Sequence, residues 1–156
     1  MHRRLPLLFR LVATLSVAIV PVAGCASGGP WVELKGKRIA VEIADDHDER
    51  ARGLMHRDRL DEGTGMLFLH SEQERQAYWM KNTKIPLDIL YFDEQRRLVS
   101  VSHAPPCSLG DRCPPHPSDG PALYVLEING GEAAALGVVP GDVLAFGPGI
   151  PERGAP

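Results

Sequence analysis

Two carboxylates in apolar runs, one aromatic-amide cluster and one cysteine pair are the places where this chain could do chemistry. Trp79-Met80-Lys81-Asn82 sets an indole, a thioether, an ammonium and an amide side by side. In an extended strand successive side chains point to opposite faces. Ala77, Trp79 and Lys81 would then share one face, and Tyr78, Met80 and Asn82 the other. Such a strand can be buried on one side and line a groove on the other, with Trp79 as wall and Lys81 and Asn82 as polar readers. The competing reading packs Trp79 and Met80 into the core and leaves Lys81 as a solvated rim charge, because aromatic and thioether side chains mostly fill space.

Asp88 lies between Leu87 and Ile89-Leu90-Tyr91-Phe92. A carboxylate in so apolar a run is either paired or carries a desolvation penalty. Arg52, Lys81 or the N–H groups of a turn are its candidate partners. Glu127, within Tyr124-Val125-Leu126-Glu127-Ile128, raises the same question. A carboxyl with a shifted pKa is a candidate acid or base. Asp88 and Glu127 facing one pocket would make the chain a hydrolase or lyase.

Cys107 and Cys113 sit in a proline-rich loop and are expected to form a disulfide outside the cytoplasm. Closing so short a loop contributes about 2 kcal/mol in the chain-entropy model. The rival is zinc held by His103, Cys107, Cys113 and His116, although common structural zinc sites space their cysteines more closely. Met55, Met66 and Met80 are soft enough for copper(I), but Trp79 and Met80 would face opposite ways, and core packing is the simpler use. No Gly-x-Ser-x-Gly, phosphate-binding glycine loop or His-Glu-x-x-His is present. Nothing in the sequence calls for a cofactor or a metal.

The elements that must position these groups are short strands. Val32 to Leu34 and Arg38 to Ala44 form a hairpin around Lys35-Gly36-Lys37, with Ile39, Val41 and Ile43 on a buried face. Asp45 or Asp46 caps a short helix running to about Met55, and Arg57 to Gly65 is a polar loop. Met66 to Leu69, Ala77 to Lys81, Leu87 to Phe92 and Leu98 to His103 are strand candidates. Pro105 to Pro121 reads as a loop, Ala122 to Ile128 as a strand, Gly131 to Leu136 as a helical turn and Val143 to Phe146 as the last strand. Sixteen glycines and fourteen prolines suit strands and turns rather than a bundle. The fold expected is mainly β: a single compact β-sandwich or distorted barrel with one or two short helices, over residues 31–147.

The N-terminus supplies an address. Arg3, Arg4 and Arg10 precede an apolar run from Leu11 to Val22 that ends in Ala23-Gly24-Cys25. The run suits a signal peptide and is short for a membrane span. Residues 1–24 are therefore read as a lipoprotein-type signal, Cys25 as the lipidated residue, 25–30 as a tether and 148–156 as a flexible tail. The expected location is a cell or outer membrane, held by acyl chains, with the domain in the periplasm or otherwise outside the cytoplasm. The leader holds three of the seventeen basic residues and none of the twenty acidic ones. The remainder thus has fourteen basic and twenty acidic side chains, a formal charge of -6. That balance argues against nucleic acid and against electrostatic attachment to anionic lipid.

Arg52-Gly53-Leu54-Met55, Gly65-Met66-Leu67-Phe68, Trp79-Met80-Lys81-Asn82-Thr83 and Ile85-Pro86-Leu87-Asp88-Ile89 together resemble the bacterial and archaeal domain-of-unknown-function family 192. Val125-Leu126-Glu127 and Gly141-Asp142-Val143 match its C-terminal part, so the likeness spans Ile39 to Phe146. It implies a compact β-sandwich-like fold and no established activity; exported and lipid-anchored members fit this N-terminus. The functional expectation is a membrane-anchored binding module for a small molecule or an envelope component. Its groove would lie near Arg52, Trp79, Lys81, Asn82, Asp88 and Glu127. A hydrolase or lyase using Asp88 or Glu127, and a structural envelope interaction protein, are the alternatives.

Overall fold

The computed structural model describes residues 28–151. The expected signal peptide, Cys25 and the end of the tail lie outside the described residues. Among these residues no helix is long and apolar enough to cross a membrane.

Among the described residues seven strands form one mixed sheet that curls into a half-barrel, the distorted-barrel form of the expected β fold. In chain order they are β1 (Trp31–Leu34), β2 (Lys37–Ala44), β3 (Thr64–Trp79), β4 (Leu87–Phe92), β5 (Leu98–Ala104), β6 (Pro115–Asn129) and β7 (Ala145–Phe146). Two short helices, α1 (His47–Arg52) and α2 (Glu132–Leu136), complete it. The spatial order is β5-β4-β6-β3-β2-β1-β7. Only β2 and β3 run parallel. A parallel pair needs a crossover rather than a tight turn, and residues 45–63 provide one. That crossover carries α1 onto the sheet.

Both faces of the sheet are covered, and strand parity decides which side chain goes where. Leu67, Leu69, Leu90, Phe92, Tyr124, Leu126 and Ile128 lie on one face with Val32, Ile39 and Ala133 of α2. Met66, Phe68, Leu87, Ile89, Tyr91 and Val125 lie on the other, under Leu54 of the crossover. β4 is buried along its whole length, as expected of a central strand sandwiched between two apolar layers. Met66 and Met80 are core residues of the second face. Ile150, placed by the sequence in the tail, packs against the first.

α1 stops at Arg52 rather than near Met55 and β7 starts at Ala145 rather than Val143, but two segments differ more deeply. Met66–Leu69 and Ala77–Lys81 belong largely to one bent strand, β3, whose polar middle is solvent-exposed and interrupted by register shifts. Alternation cannot reveal a strand that bulges and faces water there. The supposed loop to Pro121 is half strand, since β6 begins at Pro115. Pro115, Pro117 and Pro121 share one parity, so the N–H groups they lack all fall on one side. β4 pairs β6 only from Tyr124 onward, leaving this half with a ladder on the β3 side alone. Proline is tolerated where a strand has such an open side.

Candidate functional site

The second face of the sheet, beneath α1, gathers the groups with unusual chemistry. Asp46 caps α1 by accepting the Glu49 N–H at 2.8 Å. Asp48 and Glu49 in the first turn and Arg50 and Arg52 in the last suit the helix dipole. Gly53 ends the helix with φ 47°, and a Cβ there would crowd the Phe68 ring at 3.3 Å. The chain therefore passes close over the sheet and leaves a small cavity of about 30 Å3. Arg52, Gly53, Phe68, Tyr78, Trp79 and Glu127 are among its lining residues.

Glu127 projects from β6 on the face of Met66 and Phe68 and is only 4% exposed. Gly65 of β3 lets the chains approach here, since a Cβ on it would meet the Glu127 carbonyl at 2.6 Å. The Glu127 carboxyl has no hydrogen-bond partner among the described residues. Burial pushes its pKa up to about 8, so at neutral pH it is mainly a protonated acid and a hydrogen-bond donor. Tyr78 and Tyr91 stand nearby, ring centroids 6.1 Å apart. Burial first, and then the Glu127 charge, raises the pKa of both phenols. The Tyr91 hydroxyl donates to the His116 carbonyl at 2.5 Å.

Tyr78, Trp79 and Arg50 also line an outer groove of about 320 Å3, which His70 and Ala77 border as well. The Tyr78 hydroxyl and His70 Nε2 are 2.9 Å apart. Burial, and then the Arg50 charge, lowers the His70 pKa to about 4. Arg50 donates to the carbonyls of Asp45 at 2.7 Å and Leu69 at 3.0 Å. Trp79 is 43% exposed, and the Lys81 ammonium sits 5.0 Å from its ring centroid. Tyr78 and Met80 turn inward while Ala77 and Trp79 face out, the alternation expected of a strand. Trp79 is thus a wall residue and Met80 a core residue.

The remaining candidates go elsewhere. Lys81 pairs with Asp111 of the cysteine loop, not with Asp88. Asn82, with φ 55°, lines a separate hollow with His56, Thr83, Lys84 and Cys107. Asp88 is buried on the opposite face from Glu127, because Ile89, its neighbour of opposite parity, pairs with Glu127. Its Oδ1 meets His103 Nδ1 at 2.8 Å, and its Oδ2 accepts from the N–H groups of Gly131 and Ala133 at 2.9 and 2.8 Å. Neither Arg52 nor Lys81 is its partner. Asp88 caps α2 on their shared face of the sheet, away from Glu127, so the joint Asp88–Glu127 acid–base pair does not form. Cys107 and Cys113 are disulfide-bonded. The alternative zinc set is broken up: His103 turns to Asp88, and His116 Nδ1 lies 3.0 Å from Ser102 Oγ.

Sequence reasoning reached Glu127, Arg52 and Trp79 but missed His70, Tyr91 and Arg50. Only Tyr78 carried a signal, its parity with Met80. His70 lies in the polar bulge of β3, where nothing in the pattern marks it as inward-facing.

The DUF192 family model, described as an uncharacterized ACR, matches residues 31–146. Two solved structures are similar throughout. A protein of unknown function from Novosphingobium aromaticivorans DSM 12444 is 38% identical, with a TM-score of 0.66 over 83% of this chain and 92% of that one. A "putative transcription regulator" from Sinorhizobium meliloti 1021 is 35% identical, with a TM-score of 0.68 over 79% of this chain and 98% of that one. Among curated proteins, none matches the chain significantly.

Proposed function

The chain belongs to the DUF192 family, and from that premise we propose that it is a lipid-anchored extracytoplasmic domain that binds a small molecule or envelope component in the groove beside Trp79. One observation carries the reading: a half-exposed indole walls a groove and also lines the adjoining small cavity, which holds a buried carboxyl without a protein partner. Large exposed aromatic rings next to a concavity, with few convergent polar groups, are the ordinary makings of a ligand site. An unpaired buried carboxyl is costly unless something else completes it.

A second reading, acid–base catalysis by Glu127 alone, is favoured by its high pKa. The groove and cavity hold no second carboxylate among their lining residues, so two-carboxylate hydrolysis is not supported. The acidic balance of the chain after its leader gives no support to a nucleic-acid role either.

If Trp79 is a wall and not core, Trp79→Ala costs about 1 kcal/mol or less, against the 3–5 kcal/mol of an emptied aromatic core site. Its fluorescence is quenched by iodide in a Trp31→Phe background. A fragment screen read on the indole N–H of Trp79 tests binding: ligands shift that signal and lose affinity in Trp79→Ala. An unquenchable Trp79, or ligands that never disturb it, sinks the groove.

Anchoring is tested separately. Cys25→Ser releases the domain from membranes or leaves an unprocessed precursor, and mass spectrometry of the natural N-terminal peptide finds diacylglycerol on Cys25. A soluble, unmodified N-terminus removes the lipoprotein part of the proposal and leaves the groove untouched.

A further inference from the structure

The inner cavity is selective in a way that names the chemistry of its ligand, on the premise that the Trp79 groove is a binding site. About 30 Å3 admits one or two water-sized groups. Only a terminal group of the ligand enters, while its body lies against Trp79 in the outer groove.

Charge decides which group that is. Glu127 shares the cavity lining with Tyr78 of β3 and with Arg50 and Arg52 of α1, and Tyr91 of β4 stands close enough to feel its charge; both phenols are held neutral. His70 of β3 reaches the cavity only through the Tyr78 hydroxyl. None of these is an anion. Arg50 turns Nη1 to two backbone carbonyls, and Arg52 has no hydrogen-bond or ion-pair partner among the described residues. Neither guanidinium is neutralised by a carboxylate. An ammonium entering here meets two like charges. A carboxylate meets two opposite charges and, while Glu127 keeps its proton, a hydroxyl donor.

We propose that this cavity receives the carboxylate of a small organic acid, one oxygen accepting the Glu127 carboxyl O–H and the other the Arg52 guanidinium. Charge-assisted hydrogen bonds of both kinds are short and strong, and an arginine fork suits a carboxylate's planar geometry. The apolar body of the acid rests on Trp79. Burial keeps Glu127 protonated up to about pH 8, and an anion alongside holds that proton more firmly. Binding therefore requires the proton and weakens about tenfold per pH unit once free Glu127 ionises.

The test uses the full chain and three probes of matched shape: phenylacetate, phenylacetamide and 2-phenylethylamine. Binding is followed by the NMR shift of the Trp79 indole N–H, which separates it from Trp31. At pH 7 phenylacetate is expected to bind at least tenfold more tightly than the other two. Its affinity falls about tenfold per unit above pH 8. Arg52→Gln removes most of the preference for the acid over the amide, and Glu127→Gln removes the decline at high pH. Equal affinities, a preference for the amine, or a flat pH profile in the unsubstituted chain overturns the carboxylate assignment and leaves the groove standing. No Trp79 shift with any of the three probes overturns both.

Discussion

Glu127→Gln is expected to stabilise the domain, by about 3 kcal/mol at pH 7. The unfolded chain ionises Glu127 near its ordinary value of 4.5, whereas the fold holds the proton to about 8. A raised folded-state pKa gives stability that is fully present below 4.5 and is lost as pH climbs toward 8. At neutral pH the unfolded state gains from ionisation that the folded state is denied. Glutamine keeps the shape and never ionises, so the loss disappears. Urea unfolding of both proteins at pH 4.5 and 7.5 should give nearly equal stabilities at the lower pH and a clear gap at the higher. His70 acts in the reverse sense: its lowered pKa withdraws stability as pH falls from 6.5 to about 4. The natural chain should be flattest between pH 4.5 and 6.5 and weaken from there to 8. A Glu127→Gln protein weaker than the natural one at pH 7.5 would mean that the carboxyl is ionised and partnered. A residue whose replacement strengthens the fold is retained for another reason, and residues of binding and catalytic sites often have this property.

Asp88→Ala is expected to do the opposite, costing about 3–5 kcal/mol. The carboxylate is 3% exposed and meets three partners: the His103 ring and the N–H groups of Gly131 and Ala133. Removing it strands two backbone donors at the start of α2, with Ala133 itself in the core. Asp88→Asn keeps an acceptor for the N–H groups and should cost about 1–2 kcal/mol, the part owed to charge. Denaturant midpoints for the two variants separate these contributions. The Trp79 indole N–H should not move in Asp88→Asn, because Asp88 and the groove lie on opposite faces of the sheet. A shift there, with full stability retained, would return Asp88 to the ligand site.

Much of the architecture was legible from the residues. Leu87 to Phe92 was bounded correctly because an unbroken apolar run after a proline has few alternatives to a central strand. The first hairpin and a cap at Asp45 or Asp46 followed from residues whose conformational preferences are local, and the structure selects Asp46. The alternation over Ala77 to Met80 separated Trp79 from Met80, as the burial of the two residues bears out. Bulged β3 and the proline-bearing half of β6 were not legible. Their pairing depends on which neighbours each strand happens to have, and no local pattern records that.

The site divides along the same line. By itself the sequence determined that Asp88 and Glu127 are carboxylates in apolar strands and so must be paired or perturbed, and that Cys107 and Cys113 lie close enough to join. Which carboxylate is satisfied and which is left with a proton was decided only by the tertiary structure. The register of β4 on β6 turns Asp88 toward α2 and Glu127 toward α1. A shift of one residue in that pairing would have set Asp88 opposite Glu127 and put both carboxylates on one face, because side chains in a strand change face at every step. Burial, charge neighbours and the cavity beneath Gly53 all follow from that register, set by contacts among residues 32 to 61 positions apart in the chain.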